Sequence, residues 1–379
     1  MAAVFANAAG TIATIFISLY LATKLHFGIA QIGTIMTGFG VGSFICSYLG
    51  GFLSDHLSPL KISITVLCIN AITWLFLPLT NSFIWLLVIT TIMGGANAAF
   101  APAIRTALMS LCERTDQARV SGLRYTMANM GAGAGVFIDG LIAMKSYFLL
   151  FLANSLAIFA AAGLLILFLN KGYAKGLPQP QQKPQEHFDQ SIFHDSVLMI
   201  LLAALLLIGL VFAQLKTSYP IYLHHNYGVS PLEFSYLFLL STLLIVAVQM
   251  PLLTYLHKFN ANYTAGVGAL FLGLGFALLP LSVSYSMAIF SCVLWTLGEI
   301  LFFSTVQVLV YERAKEHNRG HYMGVYQAVY TFALMLGPIG GSTVYGYLHG
   351  DILWYGCGAL GVIALAFCYY CGMKLENKK

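Results

Sequence analysis

The chain has 379 residues, of which 59% are hydrophobic and only 8% charged, with a formal net charge of +5. Mean hydropathy is +0.83, and soluble domains carry far more charge, so a water-soluble protein is excluded. The basic residues are dispersed among loops rather than gathered on one face, which excludes a nucleic-acid-binding surface. Apolar runs of about 20 residues recur from end to end, the length that crosses a bilayer. The fold class is an all-α membrane protein.

In chain order, the first apolar run extends from near Met1 to about Leu25. It lacks a basic n-region and a cleavage pattern, and its length suits a span rather than a removed signal. Further spans are predicted at roughly 32–54, 61–80, 83–110, 120–144 and 147–169. Between the second and third lies a polar knot, Gly50-Gly51-Phe52-Leu53-Ser54-Asp55-His56-Leu57-Ser58-Pro59-Leu60-Lys61. Its glycines let backbones approach, Pro59 stops either helix from running through, and Asp55 can meet the free N–H groups of a helix start. A charged turn, Cys112 to Arg119, separates the fourth span from the fifth.

Composition then shifts. Residues 170–195 hold Pro178, Pro180 and Pro184 among glutamines and lysines, the character of a solvated linker. It separates an N-terminal six-helix bundle, 1–169, from a C-terminal one, 196–379, with a short tail. The second set of spans is predicted at roughly 196–218, 231–256, 264–282, 286–310, 321–346 and 352–373, making twelve. Ser230-Pro231-Leu232-Glu233 is a capping box with proline at the first helical position, which fixes the start of the eighth span. Loops after even-numbered spans, with the C-terminal tail, collect Lys61, Arg114, Arg119, Lys171, Lys175, Lys183, Lys258, Arg313, Lys315, Arg319, Lys374, Lys378 and Lys379. The other side has only Lys24 and Lys145. The positive-inside rule places both termini and the linker in the cytoplasm, for a multi-pass protein of the inner (cytoplasmic) membrane.

The two halves resemble each other. Glu113-Arg114, Arg119 and Gly122 match Glu312-Arg313, Arg319 and Gly324, and Gly135-Val136-Phe137-Ile138-Asp139 aligns with Gly337-Pro338-Ile339-Gly340-Gly341. Such a repeat describes two parallel halves of a rocker transporter. The second of these stretches resembles the Gly-Pro-x-Gly-Gly signature of the major facilitator superfamily, familiar in its drug exporters. Gly51, Asp55 and Lys61 resemble the family's signature between the second and third helices, although Ser58 replaces its usual glycine and the neighbouring basic residues are absent. Phe5-Ala6-Asn7-Ala8-Ala9-Gly10 resembles the interior of a first facilitator helix, which usually follows a short basic tail, and Tyr322-Met323-Gly324 echoes exporter-like branches. Two departures stand out. Val136 stands where the fifth helix of exporters has proline. Thr90-Thr91-Ile92-Met93-Gly94-Gly95 lacks the arginine that exporters carry midway down the fourth.

The resemblance implies twelve helices in two pseudo-symmetric bundles, alternating access, a small-molecule substrate and protons as partners, and a monomer in the bilayer. Its first, fourth, seventh and tenth helices line the cavity, which brings Asn7, Asn97, Lys216 and Glu299 to a shared aqueous space. Gln214 stands beside Lys216, and Trp295 lies one turn from Glu299. An ionisable group at mid-depth costs roughly 2.5–3.5 kcal/mol on insertion scales, so each needs a partner, a wet cavity or its neutral form. Glu299 is the first candidate for proton coupling and Asp139 the second; a Lys216–Glu299 pair is one arrangement. Gly51, Asp55 and Lys61, with Gly337, Pro338, Gly340 and Gly341, form the conformational motifs. Close helix packing is the plainer role for each glycine.

Cys368-Tyr369-Tyr370-Cys371 has no second ligand pair, so no metal site is expected, and no cofactor. No Walker loop or His-Glu-x-x-His pair is present, so ATP-driven pumping and membrane proteolysis lack their parts and no enzyme is expected. The reading is a secondary transporter exporting a drug or metabolite by proton antiport. Proton-coupled uptake and a non-transporting sensor on the same fold remain as alternatives.

Overall fold

The computed structural model describes the backbone of residues 1–56, 58–110, 117–170, 195–256, 258–314 and 319–376. Within these, the side chains of 48–56, 110, 117–119, 121, 122, 125, 170, 319, 320, 375 and 376 are outside the described set. The linker 171–194 lies wholly outside it, as do most of the turn from Cys112 to Arg119 and the side chains of Gly51 and Asp55. Every regular element among the described residues is helical.

The chain divides into two compact units, one of residues 1–185 with 230–236 and one of residues 186–229 with 237–379. In the first, α1 (Ala2–Thr11) and α2 (Thr14–Thr23) share the first apolar run. They are followed by α3 (Ile29–His56), α4 (Pro59–Phe76), α5 (Phe83–Ser110), α6 (Gln117–Ala143) and α7 (Tyr147–Asn170). In the second, α8 (Ser196–Ala213) fills the predicted seventh span, and α9 (Ser218–Tyr227) continues past its predicted end at 218. Then come α10 (Pro231–Leu256), whose start up to residue 236 counts with the first unit, α11 (Ala261–Ala277), α12 (Tyr285–Arg313), α13 (Arg319–Leu348) and α14 (Gly350–Glu376). Ten stretches among the described residues are long and apolar enough to cross a membrane. Helices α6 and α13, with 27 and 30 residues, have the length without so apolar a composition.

Several sequence signals act as their chemistry requires. Ser230 and Glu233 form the reciprocal cap, with Ser230 N donating to Glu233 Oε2 at 2.8 Å and Glu233 N donating to Ser230 Oγ at 3.3 Å. Gly228 closes α9 in the left-handed region at φ 66°, where a side chain would be strained. Two features were not expected. The first span breaks at Ile12–Ala13, and the seventh breaks at a 3₁₀ turn, Gln214–Lys216. Pro220 accounts for the second break: it has no N–H to give the Lys216 carbonyl, and its ring crowds that oxygen. The turns Leu77-Pro78-Leu79 and Leu279-Pro280-Leu281 are both 3₁₀, each ending one span before the next begins. They extend the internal repeat.

Packing within each unit depends on backbone approach. Helices α3 and α5 interlock so closely that a Cβ on Gly42 would overlap the Thr91 carbonyl, and one on Gly94 would overlap the Phe39 carbonyl. Ser43 Oγ donates to the Gly94 carbonyl at 3.0 Å, and Thr90 Oγ1 to the Ile35 carbonyl at 3.1 Å. In the second unit, α11 and α12 meet the same way at Gly268 and Gly298. Such small-residue crossings replace the hydrophobic drive that lipid cannot supply. Gly94→Val should therefore cost about 1–3 kcal/mol or more and abolish the monodisperse peak in detergent gel filtration. Gly163→Ala, with open space around its Cβ, should leave that peak intact; the opposite order would contradict the packing account.

Candidate functional site

The broken seventh span organises the second unit's polar groups. Gln214 is 3% exposed, and its Nε2 donates to the Gly337 carbonyl at 2.9 Å and the Leu210 carbonyl at 3.0 Å. Its Oε1 accepts from Ser218 Oγ at 3.0 Å. A Cβ on Gly341 would occupy the place of the Gln214 amide, and one on Gly337 would overlap Ala213. The signature Gly337-Pro338-Ile339-Gly340-Gly341 thus works here as a socket for Gln214. Gly340, by contrast, faces open space. Gln214 is a buried clamp, not a group open to substrate. The clamp and the Pro220 break leave Lys216 exposed, while Gln214, Leu215, Thr217 and Ser218 are buried around it.

Glu299 lies at the centre of α12, half-buried, with no hydrogen bond or ion pair among the described residues. It is close enough to Tyr330 and Cys292 to act on both electrostatically. One turn away, Trp295 is fully buried, its ring parallel to Phe276 at 6.3 Å, and Phe276 stacks on Trp354 at 5.6 Å. Tyr219 meets Phe276 edge-on at 5.7 Å. Trp295 therefore belongs to an aromatic core behind Glu299 instead of lining an accessible surface.

A charged knot fixes the level of these groups. Arg313, in the last turn of α12, binds Asp195 through Nε and Nη2, each at 2.7 Å. Asp195 also caps α8, accepting from Val197 N and Leu198 N at 3.1 and 3.2 Å. Lys374 of α14 reaches Ser196 Oγ at 2.8 Å. At 1.5 Å per residue, Glu299 stands roughly 20 Å along the helix from this knot and Lys216 roughly 30 Å. That offset explains why the Lys216–Glu299 pair does not form.

In the first unit, Asn7 is 8% exposed, and its Oδ1 has no hydrogen-bond partner. Its carbonyl accepts from Thr11 Oγ1 at 2.9 Å, beside the break in the first span. Asn97 is half-buried on α5. The interval that separates the two Leu-Pro-Leu turns also separates Asn97 from Glu299, so the two occupy equivalent places in the repeat. Asp139 is 3% exposed on α6 and accepts from Asn154 Nδ2 of α7 at 2.9 Å. Thr90 and Thr91, where exporters carry arginine, donate to helix carbonyls, Thr91 to Leu87 at 2.7 Å. Lys61 is exposed.

Sequence reasoning missed Asp195 and Asn154. The signal for Asp195 was its place directly before an apolar run, where an N-cap belongs. Asn154 gave none beyond being an amide in an apolar helix. Burial tends to raise the Asp195 carboxyl, but hydrogen bonds from Arg313 and Leu198 N–H, the Arg313 charge and the Val197 N–H outweigh it. Its pKa lies below the ordinary value. The knot's stabilisation is then complete above the ordinary carboxylate value, about pH 4, and is lost as pH falls through the lower folded value. Asp195→Asn should lower thermal stability in detergent by about 1–2 kcal/mol at pH 7, with the difference closing only in strong acid. Equal stability at pH 7 would refute the knot.

The comparisons with known proteins agree with this geometry. A family model described as Major Facilitator Superfamily matches residues 1–338. An uncharacterized MFS-type transporter of Bacillus subtilis (strain 168), YqjV, is 21% identical over 99% of this chain and 93% of its own. A Na(+), Li(+), K(+)/H(+) antiporter of Planococcus maritimus is 20% identical over 86% of this chain and 83% of its own. Among solved structures, the nucleoside transporter NupG superposes with a TM-score of 0.78 at 16% identity, covering 97% of this chain and 96% of that one. A peptide transporter POT with sulfate gives 0.81 at 14% identity, covering 98% and 94%. At those identities the structures speak for the fold alone. The matched family spans most of both units, and the chain is a multi-pass membrane protein belonging to the Major Facilitator Superfamily of transporters.

Proposed function

We propose that the protein exports a small organic molecule across the cytoplasmic membrane by proton antiport, with Glu299 as the first coupling carboxyl and Asp139 as the second. The observation that carries this reading is Glu299 itself. It is a carboxyl at the centre of a 29-residue helix, half-buried and without hydrogen bond or ion pair among the described residues. An acid with no structural partner in a membrane helix is expensive, and serves where it exchanges a proton with intermittent water. The antiporter relative of Planococcus maritimus lends the proton part of the reading its support. Lysine and arginine asymmetry supports twelve spans with both termini in the cytoplasm.

In this mechanism the carboxyl takes a proton on the outer side and releases it to the cytoplasm, and cargo moves the opposite way. Glu299 stands one turn along α12 from Trp295 and its stack on Phe276, while Asp195 and Arg313 fix that helix's end. Lys216, exposed at the break in the seventh span, supplies a positive charge for cargo selection. Gly51, Asp55, Lys61 and the Gln214 socket at Gly337–Gly341 belong to the conformational change. One pH unit supplies about 1.4 kcal/mol per proton, and 100 mV adds about 2.3 kcal/mol per charge. Together they drive several hundredfold extrusion from a single titrating group.

The same relative favours a second reading in which an alkali cation is the cargo and competes with the proton at Glu299. Everted vesicles separate the readings: Na⁺ or K⁺ efflux without organic-substrate flux selects the second. In either, Glu299→Gln keeps shape but cannot titrate, so gradient-driven flux should fall to background while substrate exchange at equal pH persists. Full pH-driven flux in Glu299→Gln would remove Glu299 from coupling. Uptake along an inward proton gradient would reverse the assigned direction.

A further inference from the structure

Asp139 and Asn154 form a buried pair between α6 and α7, with 3% and 2% of their surfaces exposed. Asn154 Nδ2 donates to Asp139 Oδ1 at 2.9 Å and to the Leu150 carbonyl at 2.8 Å, which engages both of its amide hydrogens. Two oxygens are left without a donor, Asp139 Oδ2 and Asn154 Oδ1. Two acceptors lacking one donor are what an acid–amide pair shows when its proton is left off.

Among the described residues no neighbouring charge acts on Asp139 to make up the difference. Helices α1 and α2 carry no ionisable group except Tyr20, which packs against Tyr147 and Phe151. Tyr147 is the titratable side chain of α7 and lies two turns from Asn154. At the start of α10, Ser235 faces Gly140, and Glu233 is engaged by Ser230 N and Oγ. On α6 itself Arg124 is four turns away, and Lys145, just past its end, lines a groove on the outer surface of α6 and α7 with Leu141 and Leu149. An ionised carboxylate here would leave an oxygen uncompensated in an apolar interior, the costliest arrangement for a buried charge.

The repeat supplies an independent observation. The interval that relates Gly135 to Gly337 relates Asp139 to Gly341. At Gly341 the polar group is the Gln214 amide, whose hydrogens and oxygen are all engaged. The equivalent place in the first unit holds a group that reaches the same satisfaction only when protonated.

We propose that Asp139 carries its proton in this conformation, and that Asn154 is the positioning residue that holds the neutral acid in a reciprocal acid–amide pair. Oδ2–H donates toward Asn154 Oδ1 while Oδ1 keeps the Asn154 Nδ2–H. When water reaches the pair, the O–H bond breaks, the proton passes to water as hydronium, and the carboxylate remains; the reverse restores the pair. Its use in transport rests on the proton-coupled reading above, but the pair is measurable without flux.

The test is infrared difference spectroscopy of the purified full chain in lipid, titrated from acid to alkaline pH without substrate. The parent should show the carbonyl band of a buried neutral acid at neutral pH, and Asp139→Asn should remove that component. Asn154→Leu should shift the band's frequency and displace its midpoint by about tenfold in proton concentration, and Asn154→Gln should restore part of both. If Asn154→Leu fails to fold, the Gln variant alone must still alter the frequency. A band unchanged by Asp139→Asn at every pH overturns the proposal, as does an Asp139 band indifferent to both Asn154 variants. Proton-independent flux with the band intact would overturn the coupling reading and leave the pair standing.

Discussion

Hydrocarbon offers no hydrogen bonds, and the polar groups within the described spans are placed under that constraint. The backbone answers it with helices, the one kind of regular element among the described residues. Hydroxyls answer it locally: Thr11, Thr23, Thr91 and Thr254 each donate to the carbonyl one turn back. Larger groups need a partner from another helix, which is why Gln214 reaches Gly337 and Asn154 reaches Asp139. Against that background a group left without a partner is informative, and Glu299 and Asp139 Oδ2 stand out for that reason.

Close backbone approach makes such partnerships possible. The socket at Gly341 exists because no Cβ fills it, which lets the Gln214 amide come close enough to donate to the Gly337 carbonyl. In the first unit the repeat places Asp139 at the matching position, and Val136 stands in place of proline. The two halves thus fill one architectural site differently, with a fixed neutral amide in one and a titratable acid in the other. Duplication supplied the frame, and divergence placed chemistry in half of it.

Much of this was legible in the residues. Run lengths gave most of the long helices to within a few residues, though α9 runs past the predicted end of the seventh span; Ser230 to Glu233 gave a helix start, and the glycine signature gave the family. What was not legible follows from rotation and depth. Trp295 and Gln214 sit beside Glu299 and Lys216 in the sequence, yet face a packed core and a carbonyl socket. The Lys216–Glu299 pair failed because the two stand about 10 Å apart along the bundle, a distance that sequence spacing on different helices does not reveal. Pro220 was a readable cause of the break in the seventh span, while the break at Ile12–Ala13 has no proline or glycine to announce it. Asp55 lies outside the described side chains, so its role rests on the motif alone.

Antiport requires that cargo and proton move in opposite directions through one protein. Proteoliposomes containing only this chain, loaded with a pH-sensitive dye and made acidic inside, test it directly. Addition of Na⁺, K⁺ or a panel of small organic molecules outside should make the lumen more alkaline as each accepted cargo enters, at rates set by the pH difference. Cargo entry with no change in luminal pH would contradict antiport.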